Sequence, residues 1–141
     1  MNLYELTQII KHIALKQPNV RTAKEGSVYD IMNANPAVEY DAVVITQGTH
    51  TQDEQFNHFS FNLFYVSRLV DNMENNRLQA QSIGVEVLSN IVQFLNDVYD
   101  IENDGDLTFN TFTEKFADEC AGCYAKITFV VPKEIYCGEG Y

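Results

Sequence analysis

Apolar residues recur at helical spacing from the first residues of the chain. Leu3, Leu6, Ile9, Ile10 and Ile13 fall on one stripe, with Lys11, His12 and Lys16 between them, which predicts an amphipathic helix over residues 2–16. Asn2 stands at the N-cap position, with Glu5 placed three residues later to return the capping interaction, and Pro18 stops the helix. Packing on a sheet is the expected use of the stripe, and docking of a partner is the alternative.

The period then changes to two. A short strand is expected over residues 19–24, and a helical turn from Ser27 to Asn33 is closed by Asn35-Pro36. From Glu39 to Thr51, Tyr40, Ala42, Val44 and Thr46 alternate with Val43 and Ile45, the pattern of a strand. A second strand runs from about Phe56 to Val70, with Phe59, Phe61, Leu63 and Tyr65 on one face. Ser60, Asn62, Phe64 and Val66 form the other face, polar at one end and apolar at the other, so the Tyr65 end is expected to be covered on both sides. The intervening residues Gly48, Thr49, His50, Thr51, Gln52, Asp53, Glu54 and Gln55 are too many for a two-residue turn. They predict a polar, mobile tip on a long antiparallel hairpin.

The longest periodic segment is a helix from about Leu78 to Tyr99. Ile83, Val87, Ile91, Leu95 and Val98 trace its core face, widened by Leu88, Val92 and Phe94. Gly84 weakens it by about 1 kcal/mol relative to Ala and marks either a close backbone crossing or an irregular first turn. Two strands follow an acidic turn, Leu107–Phe112 and Cys123–Val131, with Ile127, Phe129 and Val131 on one face. Pro132 ends the last strand, and residues 133–141 read as a tail. The order predicts an α+β fold: one domain over residues 1–141, with two main helices packed on one face of a mostly antiparallel sheet.

Composition narrows the function. The 141 residues are 45% hydrophobic and 12% aromatic, ample for a single core. A formal net charge of -11 repels phosphate backbones and disfavours nonspecific nucleic-acid binding. No run approaches the roughly 18 apolar residues of a membrane span. Residues 1–5 lack the basic start and apolar run of a signal peptide, and three cysteines without an export signal suggest a reducing compartment.

Candidate chemistry is sparse. Cys120-Ala-Gly-Cys123 is a C-x2-C pair, but a structural zinc site needs four ligands, and Cys137 with His12, His50 or His58 would have to complete it. Entry into a strand also argues against a redox motif, which opens a helix. The turn Asp100 to Asp106 places acids at positions one, three, five and seven of a calcium loop, yet Thr111 stands where the bidentate Glu belongs. From Asp97 to Glu119 there are eight carboxylates and one base, Lys115, which reads as a solvated face or as a wall that lets DNA slide past. There is no G-x-S-x-G elbow or glycine-rich phosphate loop, so no catalytic residue, cofactor or metal ligand is assigned.

Two segments, FNLFYVSRLVDNMENNRLQAQSIGVEVLSNIVQFL (61–95) and FTEKFADECAGCYAKITFVVP (112–132) with the cysteine-containing tail, carry a resemblance. Together they resemble small neck and tail proteins of tailed phages of Bacteroides-type gut bacteria, including the crAss-like phages, over about two thirds of the chain. That family is similar to tail-terminator and tail-completion proteins, small α+β subunits that form rings below the portal. The resemblance implies a structural virion protein of the neck or tail barrel, present in the host cytoplasm during assembly. Its partners would be itself in a ring of six or twelve copies, the portal and adjacent neck or tail proteins, and DNA in passage without specific binding. No catalytic residues come with that family. The expected subunit contacts are the hairpin tip, Thr49, His50, Thr51, Gln52, Asp53, Glu54 and Gln55, together with Tyr136 and Tyr141. The competing expectations are a small acidic adaptor that mimics DNA charge, and a metal module built on Cys120, Cys123 and Cys137.

Overall fold

The computed structural model describes residues 1–35, 37–69 and 76–133. Helix α1 spans Leu3–Lys16; its first turn is capped by Asn2, whose Oδ1 accepts from Glu5 N at 2.8 Å, and it ends at Gln17, ahead of Pro18. Strand β1 (Thr22–Glu25) leads to the one-turn helix α2 (Val28–Met32), whose N-cap Ser27 Oγ accepts from Asp30 N at 3.4 Å. Strands β2 (Ala42–Gln47), β3 (Thr51–Gln52) and β4 (Phe56–Arg68) follow, then helix α3 (Asn76–Val98). Strands β5 (Glu102–Asn103), β6 (Phe109–Lys115) and β7 (Glu119–Pro132) complete the fold.

The strands form one seven-stranded sheet in the order β1-β2-β4-β7-β5, with β3 added to β4 and β6 to β7. Its spine is the thirteen-pair antiparallel ladder from Phe56↔Pro132 to Arg68↔Cys120. All pairings are antiparallel except β1 with β2, where Thr22 lies opposite Ala42 and the chain returns through α2. The architecture is α+β, as expected, with the main helices α1 and α3 on one face. Among the described residues no helix is long and apolar enough to cross a membrane.

Alternation decides which residues meet those helices. Val43 and Ile45 of β2, Phe61, Leu63 and Tyr65 of β4, and Cys123, Ala125, Ile127, Phe129 and Val131 of β7 are buried in one core. Leu6, Ile10 and Ile13 of α1 and Val87, Leu88, Ile91, Val92 and Leu95 of α3 close it. The opposite face carries a second, smaller core: Ala42, Val44, Val66, Phe116 and Cys120 beneath Val28 and Met32 of α2. The expected double cover at the Tyr65 end is therefore present, but α2 supplies it, so the helices do not all lie on one face.

Strand β7 begins at Glu119, not at Cys123. Ala121 and Gly122 are too small to register as strand formers, and Gly122 is there because its neighbour β4 passes close beside it. A Cβ on Gly122 would stand 1.7 Å from the Tyr65 carbonyl oxygen. Gly84 marks a close crossing too, for a Cβ there would meet Tyr65 Cδ1 at 2.9 Å and Cys123 Sγ at 3.0 Å.

Candidate interaction surfaces

The hairpin tip is a hydrogen-bonded structure rather than the loose loop expected from its polarity. Asp53 Oδ1 accepts from the backbone N–H groups of Gln55 (2.8 Å) and Phe56 (2.7 Å), and Asp53 Oδ2 pairs with His58 Nε2 at 2.9 Å. These donors hold the Asp53 carboxyl down at about 2, below its ordinary 3.8, with the His58 hydrogen bond the largest cause. Strand β3 pairs Thr51 with His58 and Gln52 with Asn57. Lys133 N donates to Gln55 O at 2.9 Å, tying the end of β7 to the same turn. The His50 ring packs edge-on against Phe59 and Phe61 and accepts from Ser60 N through Nδ1 at 3.1 Å. Thr49, His50, Thr51, Gln52, Asp53, Glu54 and Gln55 thus stand together at one end of the sheet, whereas Tyr136 and Tyr141 lie outside the described residues.

The cysteine pair does not converge. Three positions apart on a strand, Cys120 and Cys123 point to opposite faces: Cys120 into the smaller core, Cys123 into the larger. Cys120 Sγ lies 3.5 Å from Tyr40 Oη and 3.4 Å from the Asp118 carbonyl oxygen. Burial raises both thiols, Cys123 to about 12, so neither is a ready thiolate. Those two residues cannot share one metal ion, and Cys137 lies outside the described residues. His50 and His58 are engaged at the hairpin tip. The turn after α3 is strand β5 followed by a reversal, with Asp104 N donating to Thr128 O at 2.8 Å and Gly105 at φ 76°. Among the described residues no three His, Cys, Asp or Glu side chains are grouped to hold a metal.

Beside the start of β2 sits a polar network. Tyr65 Oη donates to Asp41 Oδ2, and Ser67 Oγ donates to Asp41 Oδ1 at 2.8 Å. Burial, then the Asp41 bond, pushes the Tyr65 phenol far above its usual range. The network pins the middle strands.

Among the described residues, an apolar surface lies on each side of the sheet. On the helical side, His12, Ile13, Lys16 and Gln17 of α1 and its cap line a hollow of about 130 Å³ together with Phe94 and Val98 of α3 and Tyr99 just after it. Phe94 is 41% exposed and Val98 60%, although helical spacing assigns both to the core. The Phe94 and Tyr99 rings lie 6.1 Å apart.

On the other side, Val28 and Tyr29 of α2, Phe64 of β4, Phe112, Glu114 and Phe116 of β6 and the turn after it, and Tyr124 of β7 line a cavity of about 200 Å³. Phe64 stacks on its cross-strand neighbour Tyr124 (5.4 Å, 29°), and Phe112 lies against both rings at 6.4 and 6.5 Å. Phe112 pairs with Gly122, whose missing side chain leaves its ring room to lie over the strand. Across the hollow, Tyr29 meets Phe116 edge-on at 5.5 Å. Sequence reasoning missed this site. The available signal was Phe64 and Val66 at the apolar end of the face opposite Phe61, Leu63 and Tyr65; that Phe64 meets Tyr124 follows from the β4–β7 register.

The carboxylates from Asp97 to Glu119 do not form one wall. Glu114 faces the aromatic cavity, Asp118 accepts from Tyr40 Oη at 3.2 Å, and Asp97 accepts from Gln93 on α3 at 2.9 Å. No protein-family model matches this chain, and no curated protein aligns with it significantly.

Proposed function

We propose that the chain is a non-catalytic structural subunit that associates head to tail with copies of itself. The observation that carries this reading is the pair of unlike apolar surfaces on opposite sides of the sheet: the α1–α3 hollow with exposed Phe94 and Val98, and the aromatic cavity with 56% exposed Tyr29. A heterologous contact needs two different patches on one molecule, and repeating it closes a ring when the rotation per subunit divides a full turn. Large apolar side chains gathered on a small domain mark an interaction surface more often than a solvated one.

The resemblance to phage neck and tail proteins gives this reading its setting: a ring of six or twelve copies in the head–tail neck or tail barrel, stacked on the portal or an adjacent tail protein. A chain of net charge -11 suits a conduit through which DNA slides without being held. The hairpin tip, hydrogen-bonded and polar, would serve as rim rather than as hydrophobic anchor.

Light scattering after size exclusion, over a concentration series with negative-stain images, tests the proposal. Closed rings at about 6 or 12 times 16.1 kDa are expected. Val98→Asp, on a side chain already mostly exposed, should dissociate them without unfolding the chain. A monomer at every concentration, alone and mixed with portal and adjacent tail proteins, would refute it.

A further inference from the structure

We propose that the aromatic cavity on the α2 side of the sheet is a binding site for an organic cation, a quaternary or alkylated ammonium or a guanidinium head. The cavity is also one of the two surfaces proposed above for association, so a neighbouring copy and a cation would compete for it. The titration is therefore made on the Val98→Asp chain, in which the proposed association is removed and the cavity lining is unchanged.

Five of the seven residues that line the hollow are aromatic: Tyr29, Phe64, Phe112, Phe116 and Tyr124. They come from separate elements and form two ring clusters around the hollow, the packed trio Phe64, Phe112 and Tyr124 and the Tyr29–Phe116 pair. Aromatic rings carry negative potential over their faces, so a hollow lined by rings attracts a weakly hydrated cation more than a neutral group of the same shape. The sixth residue is Glu114, an exposed carboxylate, and no lysine or arginine is among the described residues lining the cavity. The seventh, Val28, closes the floor from α2. Rings for the cation's alkyl surface and one carboxylate for its charge are the two contributions such a ligand needs.

Size points the same way. Pockets for whole drug-like or cofactor molecules run to about 300–1,000 Å³, and a hollow of about 200 Å³ holds a head group rather than a nucleotide or flavin. An anionic ligand is disfavoured by Glu114 and by the -11 net charge, which also raises the local concentration of cations. A large aliphatic ligand would gain nothing from the carboxylate.

The experiment is an NMR titration of the full chain carrying Val98→Asp with choline, with its uncharged carbon isostere dimethylbutanol, and with blocked lysine and blocked arginine, at constant ionic strength. Saturable shifts confined to Tyr29, Phe64, Phe112, Phe116 and Tyr124 are expected with the cations, with the isostere at least tenfold weaker. Glu114→Gln should weaken choline several-fold. Tyr29→Ala, on an exposed ring, should abolish saturation while leaving the thermal midpoint in place. Tighter binding of the blocked amino acids than of choline would identify a side chain of a protein partner as the source, and the reverse order a small molecule. Equal affinity for the isostere and choline would overturn the proposal, as would cation-induced shifts elsewhere on the surface or no saturation at all.

Discussion

Replacing Gly84 by alanine sets two opposed effects against each other. On helix propensity alone, Gly84→Ala in the interior of α3 should stabilise the protein by about 1 kcal/mol. The structure predicts the opposite sign. The new Cβ would lie 2.9 Å from Tyr65 Cδ1, 3.0 Å from Cys123 Sγ and 3.3 Å from Cys123 N, where ordinary contact between carbon atoms is about 3.5–4.0 Å. None of these atoms can retreat easily. Tyr65 and Cys123 are fully buried, the Tyr65 hydroxyl is held by Asp41, and the third neighbour is backbone of the central β4–β7 ladder. The adjustment must come from α3 lifting off the sheet, which places the cost near the top of the overpacking range of about 1–3 kcal/mol. Set against the propensity gain, a net loss of about 2 kcal/mol remains, which lowers the thermal midpoint of a chain this size by about 6–8 °C. Thermal and urea unfolding followed by circular dichroism measure it. Cys123→Ala in the same background removes one of the contacts, so the pair should show favourable coupling of about 0.5–1 kcal/mol. A rise in midpoint on Gly84→Ala, or strict additivity of the two substitutions, would refute the close-crossing account.

Two further outcomes follow from the titratable groups. Asp53 is held below its ordinary pKa, so its contribution to stability is present above pH 3.8 and is lost as pH falls toward about 2. Thermal midpoints of Asp53→Asn should accordingly approach those of the parent as the pH drops through that window, and parallel curves would disprove the role of the tip network. The buried thiols of Cys120 and Cys123 should resist a thiol reagent in the folded protein and react once denaturant is added. Reaction of more than one equivalent in the native state would show that β7 is not packed as described.

The long elements were legible because each buries one face of regular period. In β4, Phe59, Phe61, Leu63 and Tyr65 recur at every second position, and the structure sends them toward α1 and α3 as that period requires. Two short elements were legible in place, a strand near residues 19–24 and a helical turn from Ser27, but not in their pairing. Strand β1 offers Thr22, Ala23, Lys24 and Glu25, with little apolar alternation to read, and nothing in those residues encodes a parallel partner. The start of β7 hides behind Ala121-Gly122, and Gly122 owes its strand placement to the close approach of β4 and not to propensity. The aromatic cavity draws on positions from Val28 to Tyr124, contributed by α2, β4, β6 and β7, so no local window contains it.

The helical-side surface shows what a periodic pattern can and cannot say. Val98 lies eighteen residues after Ala80, which is five full turns at about 3.6 residues each, so the two share one angular position on α3. Ala80 is buried and Val98 is 60% exposed. The difference is therefore not one of helix face: the stripe is continuous, and what lies beneath it ends before the helix does. Phe94, one turn earlier, is left beside the same hollow, with Tyr99 closing over it and His12 and Lys16 facing it from α1. Polarity drew attention to the hairpin tip, because exposed loops are polar whether or not they bind anything. An apolar residue that helical spacing assigns to the core and the fold leaves uncovered is more informative. Its exposure costs apolar hydration in the free chain, and that cost is relieved only when something covers it.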